Sequence, residues 1–163
     1  MTKKVIEEGR DFTHVLPLFK DVIIKSGIKK DGHLIFAGCP GPCYAMSTFF
    51  SFGIRDLGLN LFFAVDADME QLLRLDYVES QGIMAVGKES SLKADVIVLM
   101  SGLCNLPIEK TLEFISHGLR NKGVIIGEAP AHGLFEEMGW TDKVPFNFLF
   151  EFSMTNPTSF SMD

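Results

Sequence analysis

The sequence is short of positive charge, of cysteine and of long apolar runs, and each scarcity removes a class of function. Its 15 Lys+Arg stand against 21 Asp+Glu, a formal charge of −6, and the basic residues are scattered singly or in pairs such as Lys3-Lys4 and Lys29-Lys30. Phosphate neutralisation along a nucleic acid needs clustered cations, so no nucleic-acid partner is expected. The most apolar stretches, Leu59 to Val65 and Val96 to Met100, fall far short of the ~20 residues of a membrane span. The opening Met1-Thr2-Lys3-Lys4-Val5-Ile6-Glu7-Glu8 lacks the apolar core of a signal peptide, so a cytoplasmic protein without a membrane partner is expected. Three cysteines are an odd count in a chain long enough to fold without staples. They leave free thiols, metal ligation or redox chemistry rather than a disulfide framework. Also missing are a Gly-x4-Gly-Lys phosphate loop, a nucleophile elbow with a Ser-His-Asp set, a metalloprotease helix motif and any internal repeat or linker. The 163 residues therefore read as one domain, with 1–10 and 156–163 frayed.

What is present is apolar substance arranged in alternation. With 47% hydrophobic and 22% charged residues, the chain can bury a large core. Phe12, Val15, Leu16, Phe19, Ile23 and Ile24 recur at helical spacing, predicting a helix over 12–26 that Gly27 stops. His33 to Ala37 is a short apolar strand, ended by the breaker-rich Gly38-Cys39-Pro40-Gly41-Pro42-Cys43. A helix over 44–57 follows, apolar on most sides, and Gly58 closes it. Leu61 to Val65 is the second strand. Asp68 is then placed to cap a helix from Met69 to Leu75. Ile83–Val86, Asp95–Met100 and Val124–Gly127 read as further strands, with a helix from Pro107 to Leu119 and a short one at Leu134–Met138. Phe146 to Phe152 alternates with period two as a last strand, its phenylalanines on one face.

Nearly continuous Val/Ile/Leu/Phe strands separated by helices predict a mostly parallel sheet covered on both faces. The expectation is a single three-layer Rossmann-like α/β domain of five to six strands, ordered 3-2-1-4-5, with the C-terminal strand antiparallel at the edge. Ligands of such sheets bind beyond the carboxyl ends of the strands where the order reverses, here between the first and fourth strands. The candidate site is therefore built from Gly38, Cys39, Gly41 and Cys43 after the first strand, Asp66 after the second, and Ser101, Gly102 and Asn105 after the fourth. It suits a nucleotide-like or other small anionic ligand at a helix N-terminus. The plainer reading makes the first turn a rigid connection and Asp66 or Asp68 a helix cap.

The cysteines support another chemistry at the same rim. Cys43, near a helix N-terminus, is the candidate reactive thiol, because unsatisfied N–H groups there stabilise a thiolate. Cys39, Cys43 and Cys104, with His132 as fourth ligand, form a candidate metal set, although the spacing matches no standard zinc motif. The alternative is that the thiols are inert space-fillers. Glu128 follows the fifth strand and is a candidate acid or base beside His132, with an exposed loop carboxylate as the alternative. The Phe-rich last strand and the apolar helix over 44–57 are candidate homo-oligomer surfaces, set against a purely internal core.

Two resemblances follow from these residues. The succession of strand, Gly-rich turn, helix, strand and Asp66, continued by Ala94-Asp95-Val96-Ile97-Val98-Leu99 and Leu119-Arg120-Asn121-Lys122-Gly123-Val124-Ile125-Ile126, resembles S-adenosylmethionine-dependent methyltransferases and dinucleotide-binding domains. It implies S-adenosylmethionine or a nucleotide as cofactor, with Asp66 on ribose hydroxyls. The glycine fingerprint is absent: Pro40 stands at the second glycine position and Pro42 follows, and the two prolines remove two N–H donors. Gly38-Cys39-Pro40-Gly41-Pro42-Cys43, Ser101-Gly102-Leu103-Cys104-Asn105-Leu106-Pro107 and the Phe-rich last strand together resemble a small uncharacterised protein family of methanogenic archaea. That resemblance implies a Rossmann-like layout and carries no catalytic residue.

Overall fold

A computed structural model describes residues 3–154 and 157–162. Asp11 opens the first helical segment by accepting the Thr13 N–H at 2.9 Å, and after one 3-10 turn α1 runs Val15–Lys25. Val15, Phe19 and Ile23 bury one stripe of it. Gly27, at φ +77, ends the segment in the left-handed conformation that glycine adopts without a side-chain clash. The remaining elements are β1 His33–Gly38, α2 Pro42–Gly53, β2 Asn60–Val65, β3 Leu72–Val78, β4 Gly82–Glu89, β5 Ala94–Met100, α3 Ile108–Gly118, β6 Leu119–Ala129, α4 Leu134–Glu137 and β7 Phe148–Glu151.

Seven strands form one sheet in the order β4-β3-β2-β1-β5-β6-β7. The chain thus adopts the three-layer Rossmann-like α/β architecture read from its alternation, with β1 and β5 parallel neighbours at the reversal point. Alternate residues of β1 divide the core. Leu34 and Phe36 pack with α1 and α2 on one face, whereas Ile35 and Ala37 pack on the other with Phe114 of α3 and Phe135 of α4.

Two elements differ from the sequence reading. Residues 69–75 are not a helix: Asp68 does cap, accepting the Glu70 N–H at 2.9 Å, but only a single turn follows, and Leu72 starts a strand. Leu72 and Leu75 are both buried, on opposite faces. Three residues apart, they would share a face in a helix and occupy opposite faces in a strand, so the apolar spacing was compatible with either. The β3–β4 hairpin adds β3, the only antiparallel strand among the described residues, and returns β4 parallel to β2. The C-terminal strand lies at the edge as expected but runs parallel to β6, because the connection through α4 carries the chain back across the sheet before β7 begins.

The phenylalanines of the last segment do not share one face. Asn147 bends the chain, and both its N–H and its side-chain oxygen bond the backbone of Ile125, at 2.8 and 2.7 Å. Phe146 therefore packs on Phe135, 5.0 Å between ring centroids, while Phe148, Phe150 and Phe152 pack on the α1/α2 face. At the N-terminus, Lys3 is paired with Glu136 and Glu151, which ties residue 3 of the expected frayed segment to the domain. Residues 157–162 are exposed; the fraying expected at residues 1, 2, 156 and 163 falls outside the described residues.

Phe50 is the hub of the aromatic core, fully buried with its ring 4.4 Å from Phe19, 5.8 Å from Phe150 and 5.9 Å from Phe152. Phe50→Ala is predicted to lower the unfolding free energy by ~3–5 kcal/mol through the cavity it leaves. Urea denaturation checks this, and a loss below ~1 kcal/mol would mean that the cluster is not a load on the core.

Candidate functional site

The site begins with a turn that has almost no conformational freedom. β1 ends at Gly38, Pro40 and Pro42 fix φ at two positions, and Gly41 takes φ +84, where a side chain would be strained. Pro42 is the first residue of α2, two residues earlier than the sequence reading, since a proline there gives up an N–H that the first turn leaves unpaired anyway. Cys43 consequently lies inside the first turn of the helix. One residue on, the Tyr44 hydroxyl accepts the Ala85 N–H of β4 at 2.9 Å and its ring stands edge-on to Phe63, so the turn is anchored across the sheet.

This geometry brings Cys39 and Cys43 together. Their sulfurs are 2.9 Å apart, with Cys39 half-buried and Cys43 buried at 6% exposure. The turn after β5, Ser101–Asn105, closes over them from the neighbouring strand. A Cβ built on Gly102 would come under 3.0 Å from both sulfurs, and one built on Gly38 would strike the Cβ of Cys43. Both glycines are thus required by sulfur, in a close approach of backbone to side chain. The backbone N–H groups of Cys39 and Gly102 lie against the Cys43 sulfur and favour its thiolate, but burial outweighs them, and with the hydrogen bond to Cys39 it pushes the Cys43 thiol up to about 12. The stabilised Cys43 thiolate expected from its helix position is not found, because desolvation exceeds the effect of the helix end.

The other candidates divide around this pair. Asp66 ends β2 beside Gly38, at φ +52, and its N–H donates to the Gly38 carbonyl at 2.8 Å. Ser101 is half-buried at the start of the covering turn, and Asn105 is exposed and donates to the Gly102 carbonyl at 3.3 Å. Cys104 packs with the core of the opposite sheet face, and burial pushes its thiol up to about 11. His132 is 71% exposed, with Nδ1 3.4 Å from a carboxylate oxygen of Glu151. The four-residue metal set of Cys39, Cys43, Cys104 and His132 is therefore not assembled, and among the described residues no three His, Cys, Asp or Glu side chains are grouped to hold a metal ion. Cys104 packs with one core cluster and the other two thiols with the other.

Sequence reasoning undervalued Glu128. It is not an exposed loop carboxylate but a residue of β6, 3% exposed, paired with Met100 on one side and Phe150 on the other. Its side chain points to the α1/α2 face, where Met100 separates it from Gly38 and the thiols. No hydrogen-bond or ion-pair partner reaches its carboxyl among the described residues, and burial pushes it up to about 8. The signal available in the sequence was the alternation Val124, Ile126, Glu128, which places the acid in the same row as two core residues.

The architecture defines a Rossmann-like α/β protein with a thiol pair at the carboxyl end of its central strand. The chain belongs to the family described as an uncharacterised protein conserved in archaea, DUF2124, whose model matches residues 11–155. A crystal structure of a protein of unknown function from Methanothermobacter thermautotrophicus is similar over 99% of this chain and 100% of its own, with TM-score 0.86 and 20% identity, a likeness of fold. No curated protein matches the chain. Among the described residues no helix is long and apolar enough to cross a membrane.

Glu128 gives the fold a pH dependence whose sign is fixed. Its carboxyl titrates near 4.5 when unfolded and at about 8 when folded, so between those values the unfolded chain has released a proton that the native state keeps. Its contribution to stability is complete below the lower value and is lost as pH rises through the upper one. Glu128→Gln should remove a fall on the order of a few kcal/mol in unfolding free energy between about pH 5 and about pH 8.5. Urea titrations of both proteins measure it, and an equal fall in the variant would contradict the assignment.

Proposed function

We propose that the protein is a dithiol–disulfide redox protein in which Cys39 and Cys43 exchange with disulfides of small thiols or of other proteins. The observation that carries this reading is the 2.9 Å separation of the two sulfurs within a turn that Gly41, Pro40 and Pro42 hold fixed. A disulfide bond needs ~2.05 Å, so a small approach of the side chains suffices. The roles follow from burial. Half-exposed Cys39 is the attacking thiol: its thiolate bonds to one sulfur of the incoming disulfide, and the other sulfur leaves as a thiolate. Cys43, sealed behind it, then gives its proton to solvent and attacks the Cys39 sulfur, expelling the second partner sulfur. Two protein thiols are oxidised, and one partner disulfide is reduced to two thiols.

A nucleotide-like ligand or S-adenosylmethionine held by Gly38, Gly41, Asp66, Ser101, Gly102 and Asn105 is the less supported reading. A dinucleotide turn uses its glycines to let a ligand approach the backbone, and here Gly38 and Gly102 are already approached by sulfur.

Equilibration of the protein in thiol–disulfide buffers from roughly −150 to −300 mV tests the proposal. The expected product is an intramolecular disulfide, read by mass spectrometry as the loss of two hydrogens. It should persist in Cys104→Ser and vanish in Cys39→Ser and in Cys43→Ser. Reduced thiols throughout that range, or a disulfide that includes Cys104, would overturn it.

A further inference from the structure

At the amino end of the sheet, opposite the thiols, the α1–β1 connection, Asp95 of β5 and residues 120–124 of β6 enclose a cavity of about 370 Å3. Its charge runs against that of the chain. Lys29, Lys30, Arg120 and Lys122 line it with Asp31 and Asp95, giving 4 − 2 = +2 in a protein whose formal charge is −6. Elsewhere Lys3, Lys20 and Lys25 are tied to carboxylates. No carboxylate among the described residues pairs with Lys29, Lys30 or Lys122. Arg120 is held by one oxygen of Asp95 at 2.8 Å, and the other oxygen accepts the His33 N–H at 2.8 Å, which fixes the guanidinium at the rim while leaving further N–H donors unused.

The local sequence produces this convergence. Leu119 pairs with Ala94 and Val124 with Val96, so β6 advances five residues where β5 advances two, and 5 − 2 = 3 extra residues are pushed out of the ladder. Such a bulge re-aims side chains, here Arg120 and Lys122. Across the cavity the Lys29-Lys30 turn is pinned, with the Asp31 N–H donating to the Gly58 carbonyl and the Asp31 carbonyl accepting from Asn60, both at 2.8 Å. Four exposed cations on two walls concentrate positive potential in one place, which a ligand of several negative charges matches best.

We propose that this cavity binds a small polyanion bearing two or more phosphate groups, held between the Lys29-Lys30 turn and the Arg120–Lys122 bulge. The volume is within the range of small-ligand sites, and the combination of Arg with Lys suits phosphate oxygens. This site is independent of the thiol chemistry and stands or falls without it.

Calorimetric titration with inorganic pyrophosphate at constant ionic strength, with sulfate as the control anion, decides the matter. Saturable one-to-one binding is expected, weakened at least tenfold in Lys29→Ala/Lys122→Ala and unchanged in Lys88→Ala/Lys110→Ala, whose lysines lie elsewhere. Urea midpoints of both double variants verify that they fold. Absence of saturable binding, equal competition by sulfate, or equal weakening in the two double variants would overturn the proposal.

Discussion

The close approach of the Gly102 backbone to two sulfur atoms is the constraint around which the upper part of the domain is organised. It holds the turn after β5 against the first turn of α2, and it exists only because the residue at that point has no side chain. Everything else at the carboxyl rim accommodates it. Gly38 clears space for the Cβ of Cys43, Pro42 starts the helix early enough to bring Cys43 inward, and Tyr44 fastens the same turn to β4. In the architecture this chain shares, the equivalent space beside the central strand is where a ligand commonly lies. Here the two cysteine sulfurs meet beside that strand, 2.9 Å apart.

The two thiols are unequal, and the inequality has a physical origin. Burial acts on Cys43 against two backbone N–H groups and prevails, leaving a sulfur that stays protonated at neutral pH. Cys39, in the turn just before the helix, is only half-buried. A pair in which one member is open and the other sealed favours attack by the first and resolution by the second. Glu128, in the same row of the sheet, adds a second group kept uncharged by burial. Other charged groups lie farther off: Lys3 with Glu136 and Glu151 near α4, and the basic cluster at the amino end.

Much of this was legible in the amino-acid order. The parallel core strands read clearly because they are buried on both faces and therefore apolar throughout, and the adjacency of β1 and β5 followed from the reversal of strand order. The β3–β4 hairpin was hidden because Leu72 and Leu75 satisfy a helical spacing while occupying opposite faces of a strand. The parallel direction of β7 was set by the route of the connection through α4, which no local pattern records. Cys39, Cys43 and the Ser101–Asn105 turn do meet at one rim, as the reversal of strand order requires. Its chemistry was distorted by treating all three thiols as one group. Cys104 packs with one core cluster and the pair with the other, and nothing in the spacing of the cysteines states with which each will pack. The roles of Gly38 and Gly102 were likewise invisible, since a glycine that admits a sulfur and one that admits a phosphate look alike in sequence.

The claim on which this account rests is that Cys39 is only half-buried whereas Cys43 is buried. Timed alkylation of the reduced, native protein, with the modified residue located by peptide mass spectrometry, measures it directly. Cys39 should be modified far sooner than Cys43, and Cys43 should react only as fast as the domain opens. Modification of Cys43 first, or of both at one rate, would contradict the account.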